Sequence, residues 1–253
     1  TAEEITARAL DAMGGKEKLS AIQSIRVHGR VRFGQGDFGP IEVLAARPSM
    51  FRVELSVEEN HIIEGYDGHN AWRTITGRNQ SSGTLSGAEM NRLVDQAANA
   101  IGGPLVDAAM RENKIELAGR EKRGDKDTFK LKVTLHTGNV MYIYIDATSY
   151  KQVAEDLSIQ AQGETMILEQ ALDEFRIFGG VSFPCLIVST VKGGPEVQHL
   201  EIEKVDINPE FDKSTFQIPV SVAFGPRPSG IGQPALWQQA QTGFLRSEKK
   251  CDR

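Results

Sequence analysis

The chain has little of what most metal, redox and nucleic-acid chemistries require. It holds two cysteines among 253 residues, too few for a disulfide framework or a thiolate zinc cluster. Cys185 lies in an apolar run, where a thiol acts as a small hydrophobe, and Cys251 stands among the last few positions. The five histidines (His28, His61, His69, His136 and His199) are dispersed. His61-Ile62-Ile63-Glu64 lacks the second histidine and the helical spacing of a zincin, so no metal is expected. No Lys/Arg cluster exceeds three residues and the formal net charge is -5. The basic stripe that phosphate binding needs is therefore missing, and nucleic acid is not an expected partner. No apolar run approaches the roughly 20 residues of a helical membrane span.

Catalytic signatures are equally scarce. Neither a P-loop nor G-x-S-x-G occurs. Gly34-Gln35-Gly36-Asp37-Phe38-Gly39 fits G-x-G-x-x-G and contains an Asp-Phe-Gly triplet. A dinucleotide site needs a helix to open there, but Pro40 and a strand pattern follow, so the segment reads as a hairpin turn. Asp67 and Asp146 begin turns, which accounts for them without chemistry. No catalytic constellation and no cofactor site emerge, and the chain is not expected to be an enzyme.

What the chain does have is strands. Phe129, Leu131, Val133 and Leu135 alternate with polar residues, the period of a strand with one wet face. Thr137-Gly138-Asn139 then turns into Val140-Met141-Tyr142-Ile143-Tyr144-Ile145, apolar on both faces. Such a strand needs apolar cover on its second face, whether helices, a second sheet or a ligand. Further strands are predicted at 22–33, 41–47, 50–57, 61–66, 70–76, 114–120, 151–159, 164–178, 182–191 and 197–207. Residues 77–86 read as a polar loop. Thr1-Ala2-Glu3-Glu4 forms a capping box for a first helix, with Ile5, Ala9, Leu10 and Met13 as its stripe.

Residues 87–113 carry a helical pattern. Met90, Leu93, Val94, Ala97 and Ile101 form one stripe, Gly102-Gly103-Pro104 breaks it, and Leu105, Val106, Ala109 and Met110 continue an apolar face. No strand-helix-strand alternation exists, so a parallel sheet is excluded. The expectation is a mainly β fold with helices (α+β): one domain, a strongly curved sheet or incomplete antiparallel barrel of about 11–12 strands, its open side covered by helices. The domain spans 1–219, with a glycine-bounded helical lid at about 87–112. Residues 220–253 have no periodicity and are expected to be an extended or disordered tail.

Four stretches, in order, resemble a known family. They are Ala9-Leu10-Asp11-Ala12-Met13-Gly14-Gly15 with Leu19, Ile22 and Ile25; Pro48, Phe51-Arg52, Asp67-Gly68 and Ala71-Trp72; Gly119-Arg120-Glu121, Thr137-Gly138, Tyr144-Ile145-Asp146 and Tyr150; and Phe175, Gly179, Phe183-Pro184, Ile207-Asn208 and Phe216-Gln217-Ile218-Pro219. Together they are similar to the bacterial outer-membrane lipoprotein-sorting and carrier family (LolA/LolB-like) across residues 1–219.

The resemblance implies a periplasmic, monomeric, non-catalytic protein that shields the acyl chains of lipids or lipoproteins between curved sheet and helices. It also implies exchange with sorting proteins of the inner and outer membranes. A signal peptide removed ahead of Thr1 is the expectation that goes with that location. The expected cavity residues are Phe51, Val53, Leu55 and Trp72 on the sheet and Met90, Leu93, Val94, Ile101, Leu105 and Met110 on the lid. By the same resemblance, Arg52 would lock the lid. Two other readings remain open at this level: a structural or protein-binding module with a solid core, and a hydrolase using carboxylates inside the barrel.

Overall fold

Local rules account for how the chain begins. Helix α1 (Ala2–Ala12) starts at Thr1, whose hydroxyl accepts the Glu4 amide at 3.2 Å, and it buries Ile5, Ala9 and Leu10. After Gly14-Gly15, helix α2 (Lys16–Ala21) inserts Leu19 into the core. The computed structural model describes residues 1–57, 59–78, 80–161 and 164–219. Six strands follow: β1 (Ser24–Phe33), β2 (Gly39–Ala46), β3 (Met50–Val57), β4 (Asn60–Tyr66), β5 (Ala71–Gly77) and β6 (Ser81–Thr84). Helix α3 (Gly87–Asn99) interrupts them. The strands resume with β7 (Lys114–Arg123), β8 (Lys126–Thr134), β9 (Val140–Asp146), β10 (Gln152–Ala161) and β11 (Glu164–Asp173). The last are β12 (Arg176–Phe178), β13 (Val181–Phe183), β14 (Leu186–Val191) and β15 (Glu196–Ile207), before a 3-10 turn at Lys213–Phe216.

Among the described residues, thirteen strands form one antiparallel sheet in the order β6-β5-β4-β3-β2-β1-β15-β14-β11-β10-β9-β8-β7, and β12 and β13 make a separate hairpin. The edge strands β6 and β7 do not pair, so the curved sheet stays an open barrel. Three strands escape the sequence pattern. β6 is Ser-Ser-Gly-Thr, with no apolar alternation to reveal it. The runs 164–178 and 182–191 each split in two, at Glu174 (φ 51°) and at Pro184. Bulges bend the sheet, one of them at His28/Gly29 where β1 meets β15. A Cβ on Gly29 would stand 2.2 Å from the Glu201 carbonyl oxygen, so only glycine fits this close approach.

Cross-strand partners share a face, so the register separates inside from outside. Ile41, Val43 and Ala45 oppose Leu55, Val53 and Phe51; Leu55 and Phe51 oppose Ile62 and Tyr66. All belong to, or pack against, one core that α3 enters with Leu93 and Ala97. The helical continuation expected after Pro104 does not form: residues 100–112 are turns. Gly102, Gly103, Asp107 and Glu112 have positive φ of 78°, 75°, 53° and 57°, a region helices do not use. Tertiary partners hold that shape: Asp107 accepts from Ser20 Oγ at 2.9 Å and pairs with Arg47 at 2.9 Å, while Arg111 donates to the Gly103 carbonyl at 3.1 Å. Leu105 and Val106 still reach the core.

Residues 208–219 lie across the outer face of the first strands. Asn208 Oδ1 accepts the Gln23 amide at 2.7 Å, and Ser24 Oγ donates to the Pro209 carbonyl at 2.6 Å. Phe216 is fully buried, and its carbonyl accepts from Trp72 Nε1 at 2.8 Å. The tail expected at 220–253 lies outside the described residues.

Candidate functional site

Between the concave face and one side of α3 lies a cavity of about 810 Å³. Its sheet wall is largely apolar: Ile25, Val27, Ile41, Val43 and Phe51 from β1–β3, Met141 from β9, Leu157 from β10, Leu168 and Leu172 from β11, Ile187 from β14, and Leu200 and Ile202 from β15. Val181, Ser182 and Phe183 of the β13 strand flank it. The helix wall is different. Glu89, Asn91, Arg92, Asp95, Gln96 and Asn99 line it, the polar side of α3. The apolar stripe faces the other way, into the packed core against β3, β4 and β5.

The predicted site residues therefore separate. Phe51 lines this cavity. Val53, Leu55, Leu93 and Ile101 are buried in the solid core, with Met90 and Val94 packed against it. Leu105 and Met110 border a second hollow of about 540 Å³ between α1 and the 105–110 turns, where Met110 is 85% exposed. Trp72 lies on the opposite, outer face, because its neighbours Ala71 and Arg73 take the inner one. Its indole lies over Gly65, where a Cβ would stand 2.4 Å from the ring, and the 3-10 turn covers it.

Arg52 shares that outer face. It pairs with Glu54 at 2.7 Å and donates to the Thr215 carbonyl at 3.2 Å, so it holds the C-terminal strap and not the helix.

Residues that the sequence reading passed over hold α3 to the sheet. Glu64 on β4 and Arg73 on β5 are cross-strand partners on the inner face, 0% and 5% exposed. Arg73 Nε meets Glu64 at 2.5 Å and a second guanidinium nitrogen meets Glu89 at 3.0 Å. Arg92 pairs with Glu64 at 2.9 Å. Burial alone would lower the Arg73 pKa, but Glu64 and Glu89 outweigh it and raise the value. One available signal was Glu64 alternating with Ile62 and Tyr66: a carboxylate on an apolar strand face must find a cation. Asp95 anchors the helix to the β8–β9 turn, accepting from Thr137 Oγ1 at 2.7 Å and Asn139 Nδ2 at 2.6 Å. Burial pushes its carboxyl pKa up, against the lowering effect of those two bonds.

Glu155 is the other group the sequence left unmarked. It opposes Ile143 on β9 and Gln170 on β11, which places it on the cavity wall. Gln152 Nε2 donates to it at 2.8 Å. Burial raises its pKa from 4.5 to about 7, with the Gln152 bond opposing and Asp156 adding to the rise.

An open, curled antiparallel sheet with a helix across its concave side and an apolar-walled cavity beneath is a half-barrel that encloses a cavity. Solved structures share this fold. A LolA superfamily protein from Nitrosomonas europaea matches with a TM-score of 0.56 at 17% identity, covering 86% of this chain and 97% of its own. A putative outer membrane lipoprotein-sorting protein domain from Vibrio parahaemolyticus gives 0.55 at 9% identity, covering 85% and 97%. A DUF1329 family protein from Desulfovibrio piger gives 0.54 at 8%, also covering 85% and 97%. No family model matches the sequence, and no curated protein matches it. The chain has the LolA-like fold.

Proposed function

We propose that this protein is a non-catalytic periplasmic binder or carrier of the acyl chains of lipids or lipoproteins, exchanging them with sorting proteins of the two membranes. The observation that carries this reading is the cavity of about 810 Å³ walled by aliphatic side chains from seven strands of one curved sheet. Burying an acyl chain there gains roughly 0.8 kcal/mol per methylene, so a long chain contributes up to about 10 kcal/mol without any catalytic group. Release requires the helix wall to move, and α3 is tied to the sheet by ion pairs rather than by chain connectivity alone. Lipoprotein sorting is named for the Vibrio structure that shares the fold, which supports the same class of cargo here.

The reading is tested by delipidating the protein under denaturing conditions, refolding it and titrating a fluorescent lipopeptide. Saturable binding, displaced by unlabelled lipid, is expected. A refolded protein that binds no lipopeptide would falsify the carrier reading and favour a structural module.

A further inference from the structure

Among the described residues, the ionisable side chains on the cavity wall are Glu89, Arg92, Asp95, Lys151 and Glu155. Four of them are engaged. Glu89 pairs with Arg73 and Arg92 with Glu64. Asp95 takes the Thr137 and Asn139 donors, and Lys151 Nζ lies 4.8 Å from the centroid of the Phe175 ring. Glu155 differs. Among the described residues no cation pairs with it, and it has a neutral amide donor in Gln152. Its neighbours across the sheet are Ile143 and Gln170, neither charged. Among the described residues, β11, β14 and the β12–β13 hairpin add no ionisable side chain to this wall. On the helix side, Asn99 also lines the cavity, and among the described residues its buried Oδ1 has no hydrogen-bond donor. The cavity thus offers acceptors and an unneutralised acid, set in an aliphatic wall.

Resting on the acyl-binding reading, we propose that Glu155 is a head-group subsite: the cavity selects amphiphiles whose polar end is a cationic amine and disfavours those ending in a carboxylate. An alkylammonium brings donors and no acceptor, which complements this wall, and a positive charge that Glu155 lacks inside the protein. A carboxylate brings acceptors and a charge like that of Glu155, and the cations on this wall are already committed, Arg92 to Glu64 and Lys151 to the Phe175 ring. An alcohol lies between, able to donate one hydrogen bond without charge. The carboxyl is held near the middle of the physiological range by burial, so an arriving ammonium also stabilises its charged form.

The test uses dodecylammonium, dodecanol and dodecanoate, equal in chain length, displacing an uncharged fluorophore from delipidated full-length protein at about pH 8, where the amine is charged. In the wild type the amine is expected to bind roughly tenfold or more tighter than the alcohol, and the carboxylate more weakly than both. In Glu155→Gln, the amine-to-alcohol ratio is expected to fall to within about threefold. A cooperative urea transition of the variant shows that it folds. If the wild type binds the amine no tighter than the alcohol, or Glu155→Gln keeps the same ratio, the subsite is refuted while acyl binding stands. If no chain displaces the fluorophore, acyl binding itself fails.

Discussion

The concave face of this sheet is one surface with two fates. Over β3–β5, α3 presses Leu93 and Ala97 into a packed core and seals a buried Glu64–Arg73–Arg92 cluster. Over β1–β2, β9–β11 and β14–β15, the same helix turns its polar side inward and leaves a cavity. The strands on both sides are comparably apolar, so sheet composition does not decide between core and cavity. The orientation of one helix does. A hollow persists where the facing side chains are polar and committed elsewhere, because among the described residues nothing apolar reaches across to fill it. This asymmetry also explains why charges sit deep in the filled half: they fix which way the helix is rotated.

Removing the carboxylate at the centre of that cluster breaks the comparison most severely. Glu64→Leu leaves Arg73 and Arg92 without their shared partner in a water-poor site. Losing one member of a buried ion pair costs about 3–5 kcal/mol. Urea unfolding is expected to show that loss, and a change under about 1 kcal/mol would mean that the arginines find water. Next come two leucines beneath the same curved sheet, Leu93 on α3 and Leu157 on β10. Leu93→Ala, in the filled half, is expected to cost about 2–5 kcal/mol by leaving a void. Leu157→Ala, on the cavity wall, should cost less than about 1 kcal/mol, since the space beside it already exists. The proposed function then predicts the reverse order for acyl-chain affinity. Equal stability losses at both sites would mean that the hollow is filled in solution.

Much of this architecture was readable in advance, and what was missed has a common cause. Period-2 alternation gave the antiparallel sheet, and the capping box at Thr1 gave the first helix, because both depend on neighbours in the chain. Tyr142 and Tyr144 made β9 look apolar on two faces. The second face turns out to be covered by cations: Arg123 lies 3.8 Å from the Tyr144 ring centroid and Lys130 4.7 Å from that of Tyr142. A guanidinium stem covering an aromatic ring leaves no hydropathy signal. The stripe on α3 was visible, but a stripe states that a helix has a buried side without stating whether core or cavity lies beneath it. Trp72 was assigned to the inner face because its cover, residues 208–219, is remote in sequence. Gly65, its cross-strand partner, was the one local hint.

The cavity half has its own signature in pH. Glu155 is raised from 4.5 to about 7 by burial, so the folded state holds this proton more tightly than the unfolded chain does. Its favourable contribution is complete below about pH 4.5, is lost as pH rises towards about 7, and becomes a constant penalty above that. Glu155→Gln removes the titration. The variant's stability relative to wild type is therefore expected to climb between about pH 4.5 and 7 and then level off, by on the order of 2 kcal/mol. Paired urea titrations across that range measure the difference, in which every other ionising group cancels. A flat difference would place Glu155 in contact with bulk water and make the cavity wall wet.

The smallest effect concerns the outer surface of the filled half, where a backbone strap does the covering. Trp72 Nε1 donates to the Phe216 carbonyl at 2.8 Å, both groups are buried, and Arg52 holds the adjacent Thr215 carbonyl. Trp72→Phe keeps an aromatic ring over Gly65 and deletes the donor, leaving a buried carbonyl unpaired. That is worth about 1 kcal/mol, occasionally twice as much, and the loss should appear as a lower midpoint in urea. Acyl-chain affinity should not change, because the indole lies on the other side of the sheet from the cavity. A Trp72→Phe variant that binds lipid more weakly at unchanged stability would instead mean that the strap and the cavity communicate through the sheet. The division between a filled and a hollow half would then be a property of one conformation and not of the fold.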